Sequence, residues 1–187
     1  MSTDEKVATR KPHAGIPPAT FVEDVEEYLK KEQHPTAEHA LHELDEMLSK
    51  YKFMDTALKQ RSAKLKIQIP EFKNALNLLQ TIKAKKEKSE DMHTTFLLSA
   101  DVYAKARVPP TDKVCLWLGA NVMLEYSHDD AVELLTNNLT SSQAFLKEVV
   151  SDLEFLRDQI TTTEVNMARV YNWNVKKLQA AKSSESA

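Results

Sequence analysis

Glycine is unusually rare in this chain of 187 residues, which contains only two. An average composition would give about 13. Because glycine readily adopts the positive φ angles that tight turns require, a chain almost without it has few turns and long regular elements.

Cysteine occurs once, so no disulfide can form within the chain. No run approaches the roughly 18 apolar residues of a membrane span, and residues 1–13 lack the apolar segment of a signal peptide. The formal net charge of -3 gives no electrostatic reason to expect a nucleic acid or an anionic membrane as partner. We therefore expect a soluble, cytosolic protein, with a nuclear pool left open.

Two long heptad-patterned stretches dominate the sequence. Apolar residues recur every seven residues from Tyr51 to Leu79 and again from Val132 to Met167. Heptads sustained over this length are typical of coiled coils. They predict helices over residues 36–93 and 128–178, the second with Ser127 as its N-cap.

The first helix has a second, weaker companion row at heptad spacing, displaced by three residues from the row that starts at Tyr51. This row begins at Met54 and includes Arg61 and Gln68, which are polar. Pro70 lies within the helix and predicts a kink, because proline removes one backbone donor and clashes with the preceding turn.

The ends of the chain are predicted to be simple. Residues 1–19 and 179–187 are polar and predict disordered tails. A short amphipathic helix is expected over residues 20–33, with Thr20 as N-cap and Glu23 reaching back to it in a capping box.

Residues 94–126 predict four short strands between the long helices. Pro109 and Pro110 mark one turn and Gly119 marks another, which gives two hairpins or one meander. Apolar residues occupy both faces of the third strand, so neither face suits water. Isolated hairpins are marginal in water. The strands are therefore expected to be completed by other chains.

The nearly equal helix lengths favour a fold-back at the strands, which gives an antiparallel coiled-coil helical hairpin with two β-hairpins at its base. With helix ends near His93 and His128, the register pairs Tyr51 with Val170 and Ile82 with Leu139.

This arrangement resembles an alpha-class prefoldin subunit. The resemblance is carried by VPPTDKVCLWLGANVMLEY at residues 108–126, by FLRDQITTTEVNMARVYNW at residues 155–173, and by GIP with FVEDV within residues 15–25. It implies a prefoldin-like domain over residues 36–178 and a hexamer of two alpha-class and four beta-class subunits. In such a hexamer, the hairpins contribute to a double β-barrel.

The resemblance further implies a co-chaperone that works without ATP. It would capture unfolded actin and tubulin and deliver them to the cytosolic chaperonin. A non-catalytic coiled-coil scaffold or tether is the alternative, although a tether needs no barrel.

Two groups of candidate residues follow. The apolar residues left at the helix ends are expected to contact clients, unless the short helix folds over and seals them. These are Leu41, Leu44, Leu48, Trp173, Val175 and Leu178. The apolar strand residues are expected to mediate assembly: Val114, Leu116, Trp117, Leu118, Val122 and Leu124.

No catalytic group, cofactor site or metal site is expected. The group His39, His42, Glu43 and Glu46 lacks the second histidine of a zincin motif and is interpreted as a solvated helix face. Cys115 is interpreted as a buried, inert thiol among apolar neighbours.

Overall fold

The computed structural model describes residues 13, 15–32, 34 and 36–185, and it is mainly helical, with two small antiparallel sheets. This confirms the predicted fold class. The elements are α1 (Val25–Lys31), α2 (Ala37–Glu87), β1 (Met92–Ser99), β2 (Val102–Val108), β3 (Lys113–Gly119), β4 (Val122–Ser127) and α3 (His128–Glu185). The chain divides into two compact units, one of Met1–Ser62 with Lys147–Ala187 and one of Ala63–Leu146.

Helix α1 begins later than the capping box predicts. Its N-cap is Asp24, whose carboxylate accepts the backbone N–H groups of Glu26 and Glu27 at 2.7 and 3.1 Å. Asp24 is the stronger cap because its carboxylate is charged and also favours the positive end of the helix dipole. Thr20 consequently lies outside the helix.

Helix α2 ends at Glu87 rather than near His93. Ser89 adopts a left-handed conformation with φ of 53°. Its N–H bonds the carbonyl of Lys86 at 2.9 Å, and the N–H of Glu90 bonds that of Lys85 at 3.0 Å. These two bonds form a Schellman motif, which satisfies the last helical carbonyls. A sequence without glycine at this position does not reveal such a helix end.

Helix α2 continues through Pro70 without a break, but its second buried row differs from the prediction. Leu65 and Leu79, in the row counted from Tyr51, are buried as expected. The companion row passes instead through Ser62 and Ile69, which are buried. Arg61 is exposed. Between residues 61 and 69 the stripe is therefore shifted by one residue, and small Ser62 takes the place of Arg61, whereas Ala75 of the predicted row still packs against a buried cluster.

Helix α3 begins as predicted and extends further than predicted. The hydroxyl of Ser127 accepts the N–H of Asp130 at 3.2 Å and donates to its carboxylate at 2.7 Å. The helix reaches Glu185 rather than residue 178. The predicted tail over residues 179–187 is therefore helical up to residue 185, and residues 186–187 lie outside the described part.

The four strands form two separate hairpins, β1–β2 and β3–β4. Leu116 faces Leu124 and Trp117 faces Met123 in the second hairpin. Its turn requires positive φ at Gly119, Ala120 and Asn121, with values of 91°, 47° and 62°.

The helix register differs from the predicted one by about a heptad. In the first unit, Val170 shares a buried cluster with Ala40 and Leu44 rather than with its predicted partner Tyr51. The predicted register likewise places Lys83 opposite residue 138, whereas in the second unit its ammonium lies 3.0 Å from the carboxylate of Asp129. The early end of α2 explains the shift.

Candidate functional site

A compact apolar cluster joins α1 to the start of α2 and the C-terminal part of α3. We call it the terminal cluster. Its buried members are Val22, Val25, Ala37, Ala40, Leu44 and Val170, and Tyr28, Leu29, Leu41, Met167 and Trp173 pack against it. Short α1 therefore covers apolar residues of both long helices, as the sealing alternative anticipated.

The segment before α1 is ordered and bound along α3. We call residues 15–23 the N-terminal strap. The N–H of Ala19 donates to Gln159 Oε1 at 2.7 Å, and the N–H of Val22 donates to Asn166 Oδ1 at 2.9 Å. Arg169 donates to the carbonyl of Glu23 at 2.7 Å.

The five strap residues from 19 to 23 are bonded by side chains of α3 between residues 159 and 169, a stretch of about 15 Å of helix. Asn166 also donates from Nδ2 to the carbonyl of Thr20 at 2.7 Å, so one amide holds two strap groups. The prediction of disorder up to residue 19 is therefore wrong for residues 15–19, whereas residues 1–12 and 14 lie outside the described residues.

The strap also contacts α2. The hydroxyl of Tyr51, which is fully buried, donates to the carbonyl of Pro17 at 2.8 Å. Burial raises the pKa of Tyr51 above its usual value, so the phenol remains a donor at neutral pH. Next to the strap, the ring of His13 stacks on Phe155 at 4.2 Å and approaches Asp152 within 3.0 Å.

A heptad row of buried polar residues receives this segment. Asp152, Gln159 and Asn166 recur every seven residues on α3, and each is less than a tenth exposed. Sequence reasoning missed them because it followed apolar rows only. The available signal was a polar row at the same spacing beside an apolar one, since buried polar side chains require partners.

The predicted client-contacting residues divide into three groups. Leu44 and Leu48 are buried, at 9% and 7% exposure. Leu41, Trp173 and Val175 are half-buried. Leu178 is 54% exposed.

A cavity of about 770 Å³ is lined by Leu29, Ala37, Trp173 and Leu178 together with charged residues of α1 and α3. The ammonium of Lys177 lies 4.7 Å from the ring centre of Trp173.

The predicted assembly residues lie on two faces of the second hairpin. Val114 and Leu116 are half-buried and pack with Tyr126 against a cluster of Leu79, Ala131 and Leu135. The remaining four are exposed, namely Trp117, Leu118, Val122 and Leu124. Cys115 is also exposed, so the interpretation as a buried thiol is wrong. It follows Val114 in the strand and therefore points to the opposite face, away from the helices.

The first hairpin also exposes large apolar side chains. Within the described residues these are Phe96, Leu97, Leu98, Val102 and Tyr103. Both hairpins are two-stranded, so each strand has one edge with unpaired backbone groups. In proteins generally, large contiguous patches of exposed apolar surface are typical of interaction sites.

Two ion pairs join α2 to neighbouring segments, one to the residue just before β3 and one to the first turn of α3. Lys86 pairs with Asp112, and Lys83 pairs with Asp129 at 3.0 Å. A hydrogen bond from Lys83 lowers the pKa of Asp129, and one from Lys86 lowers that of Asp112. All four groups are exposed to solvent, so these pairs orient the elements more than they stabilise them.

Comparison with known proteins agrees with this architecture. The family model for prefoldin subunits matches residues 51–173. Prefoldin subunit 3 of Mus musculus is 55% identical over 90% of this chain and 86% of its own length. Prefoldin subunit 3 of Drosophila melanogaster is 50% identical over 92% of this chain and 87% of its own.

One solved structure is also similar. A chain of the filamentous PFD from Methanocaldococcus jannaschii matches with a TM-score of 0.45 and 17% identity, over 73% of this chain and 98% of that chain. No helix among the described residues is long and apolar enough to cross a membrane. From the family match and from the extent of the identity to the animal proteins, the chain belongs to the prefoldin subunit family.

Proposed function

We propose that this chain is a non-catalytic subunit of a hexameric prefoldin that captures unfolded polypeptides without ATP. Its partners would be beta-class subunits and a second alpha-class subunit. Its clients would be unfolded actin and tubulin, passed to the cytosolic chaperonin in the cytoplasm. The apolar surface exposed on both hairpins is the observation that carries this proposal.

Assembly through the hairpins follows from their composition. Ten large apolar side chains of the hairpins are about half exposed or more: Phe96, Leu97, Leu98, Val102, Tyr103, Trp117, Leu118, Val122, Met123 and Leu124. Burying apolar surface stabilises association by about 25 cal/mol per Å². Strands from neighbouring subunits would cover these side chains and pair with the open edges.

Client capture is assigned to the surface around the terminal cluster. Leu178 is exposed, and Trp173 and Val175 are half-buried on the same stretch of α3. The cavity beside them mixes apolar walls with charged residues such as Glu26 and Lys30. Unfolded clients present apolar segments without fixed shape, which suits a shallow surface of this kind.

Two leucines of nearly equal exposure allow a matched test. Leu178 is 54% exposed on α3 and Leu78 is 52% exposed on α2. In the assembled hexamer, Leu178→Ser is expected to weaken suppression of unfolded-actin aggregation by about fivefold, because half-burial of a leucine against a client contributes about 1 kcal/mol. Leu78→Ser, which removes the same side chain at a position that is not part of the terminal cluster, is expected to have no effect. The measurement is light scattering of diluted, denatured actin at several hexamer concentrations.

Equal effects of the two substitutions would show that this surface does not contact clients. A hexamer that assembles but never suppresses aggregation would instead favour the tether.

Calorimetry of the hexamer with ATP is expected to show no binding, since the chain contains no glycine-rich phosphate loop.

A further inference from the structure

Three side chains meet where α1 connects to α2. Glu43 places Oε1 3.4 Å from Nδ1 of His39 and Oε2 3.6 Å from Nδ1 of His34. With one ligand atom taken from each residue, the three atoms all lie within 4.8 Å of one another. His39 and Glu43 are one turn apart on α2, whereas His34 comes from the connection.

His34 is held in this position by its surroundings. Its side chain is only 4% exposed. Its backbone N–H donates to the carbonyl of Leu29 at 3.0 Å, and its ring lies 5.3 Å from that of Tyr28. Leu29 and Tyr28 belong to α1 and pack on the terminal cluster. The position of His34 is therefore coupled to the position of α1.

The separations are those of loose ion pairs and are also compatible with coordination of a metal ion. A good N–H···O bond has a donor–acceptor distance near 2.9 Å, so 3.4 and 3.6 Å are long for one. Ligands at about 2.0–2.2 Å from a tetrahedral zinc ion are separated from each other by about 3.4 Å. Small side-chain rotations would bring the third pair, the two imidazoles, to the same spacing.

We propose that His34, His39 and Glu43 form a site for a divalent transition-metal ion of the zinc type, which fixes α1 to the start of α2. Two imidazoles and one carboxylate are ligands that zinc accepts, with water in the fourth position. The ion would bridge the connection and the helix, so that its binding restrains Tyr28 and Leu29 on the terminal cluster. The sequence predicted no metal site because the helical group considered there lacks the second histidine of a zincin motif, and His34 lies outside that group.

The chain provides its own control for this site. His42 and Glu46 form the same pair one turn further along α2, with Nδ1 and Oε1 3.6 Å apart. No third ligand joins them among the described residues. If zinc bound to surface histidines in general, both pairs would bind it. The proposed site predicts that only the first pair binds zinc.

The test is isothermal titration calorimetry, in which zinc chloride is added to the complex that contains the full-length chain. The sample is treated beforehand with a chelator. The unsubstituted chain is expected to bind one zinc ion. His34→Ala and Glu43→Gln are each expected to lower the affinity for that ion by at least about tenfold. Glu43 is exposed, so its substitution leaves the fold intact. His42→Ala is expected to bind as the unsubstituted chain does.

Hydrogen exchange gives a second measurement on the same samples. Zinc is expected to slow amide exchange over residues 28–32 in the unsubstituted chain and in His42→Ala, but not in Glu43→Gln. Absence of a saturable site in the unsubstituted chain would overturn the proposal. Equal weakening by His42→Ala and His34→Ala would overturn it as well.

Discussion

Replacing Trp117 with glutamate is expected to remove this chain from its prefoldin complex while leaving both long helices folded. Trp117 is 60% exposed on β3, opposite Met123. Its neighbours on the other face, Val114 and Leu116, carry the contact with the helices. A charge at a position that becomes buried on assembly costs several kcal/mol. The association constant is then expected to fall by more than about 100-fold.

Native mass spectrometry after coexpression with the other subunits measures this loss. Asn137→Glu is the matched control, because it adds the same charge at an exposed polar position of α3. Circular dichroism should show equal helix content for both variants. A Trp117→Glu chain found in the hexamer at the control level would mean that the β3–β4 hairpin is not an assembly surface.

Asn166→Ala is expected to release the N-terminal strap. The side chain is 2% exposed and bonds both Val22 N–H and the Thr20 carbonyl. Alanine would leave the buried N–H of Val22 without this partner, at about 1–3 kcal/mol, and would also remove the bond to the part-buried carbonyl of Thr20. The strap can avoid that cost only by leaving α3. Its departure would also uncover Val22, a buried member of the terminal cluster.

Hydrogen–deuterium exchange over residues 19–23 measures the release directly. The expected result is loss of protection in Asn166→Ala together with a lower free energy of unfolding. Asn172→Ala, at an exposed position two turns further along the same helix, should change neither. Unchanged protection in Asn166→Ala would show that apolar contacts alone hold the strap.

Heptad spacing was enough to predict both long helices, and Ser127 was enough to predict the start of α3. These features depend on local sequence, because a cap or an apolar stripe acts within one or two turns. The strands were found for the same reason, from alternation and turn residues. The exposure of Cys115 was missed because its apolar neighbours indicate burial without telling which face meets the helices.

The register could not be predicted from the rows alone. Sliding one helix by seven residues returns every apolar row to an equivalent position, so Val170 fits opposite Leu44 as well as opposite Tyr51. Only the helix end breaks this equivalence. That end is set by Ser89 in a left-handed conformation, which sequence patterns associate with glycine.

The strap was missed for a different physical reason. Its bonds come from Gln159, Asn166 and Arg169, far along the chain, and they hold backbone groups rather than side chains. Backbone groups are the same at every position, so residues 15–23 carry little trace of being bound. The sequence signal lies instead in α3, in the buried polar residues that bind the strap.

The strap also sets an order of events during synthesis. Residues 15–23 leave the ribosome before their partners from Gln159 to Arg169, which are about 140 residues later in the chain. At about 5–20 residues per second, the strap waits between roughly 7 and 30 seconds before α3 can receive it. The buried cluster that Val22 and Val25 join stays incomplete throughout that interval, because it includes Val170. The nascent subunit thus carries an apolar segment that it cannot yet bury fully, and for that period it presents the kind of surface that chaperones bind.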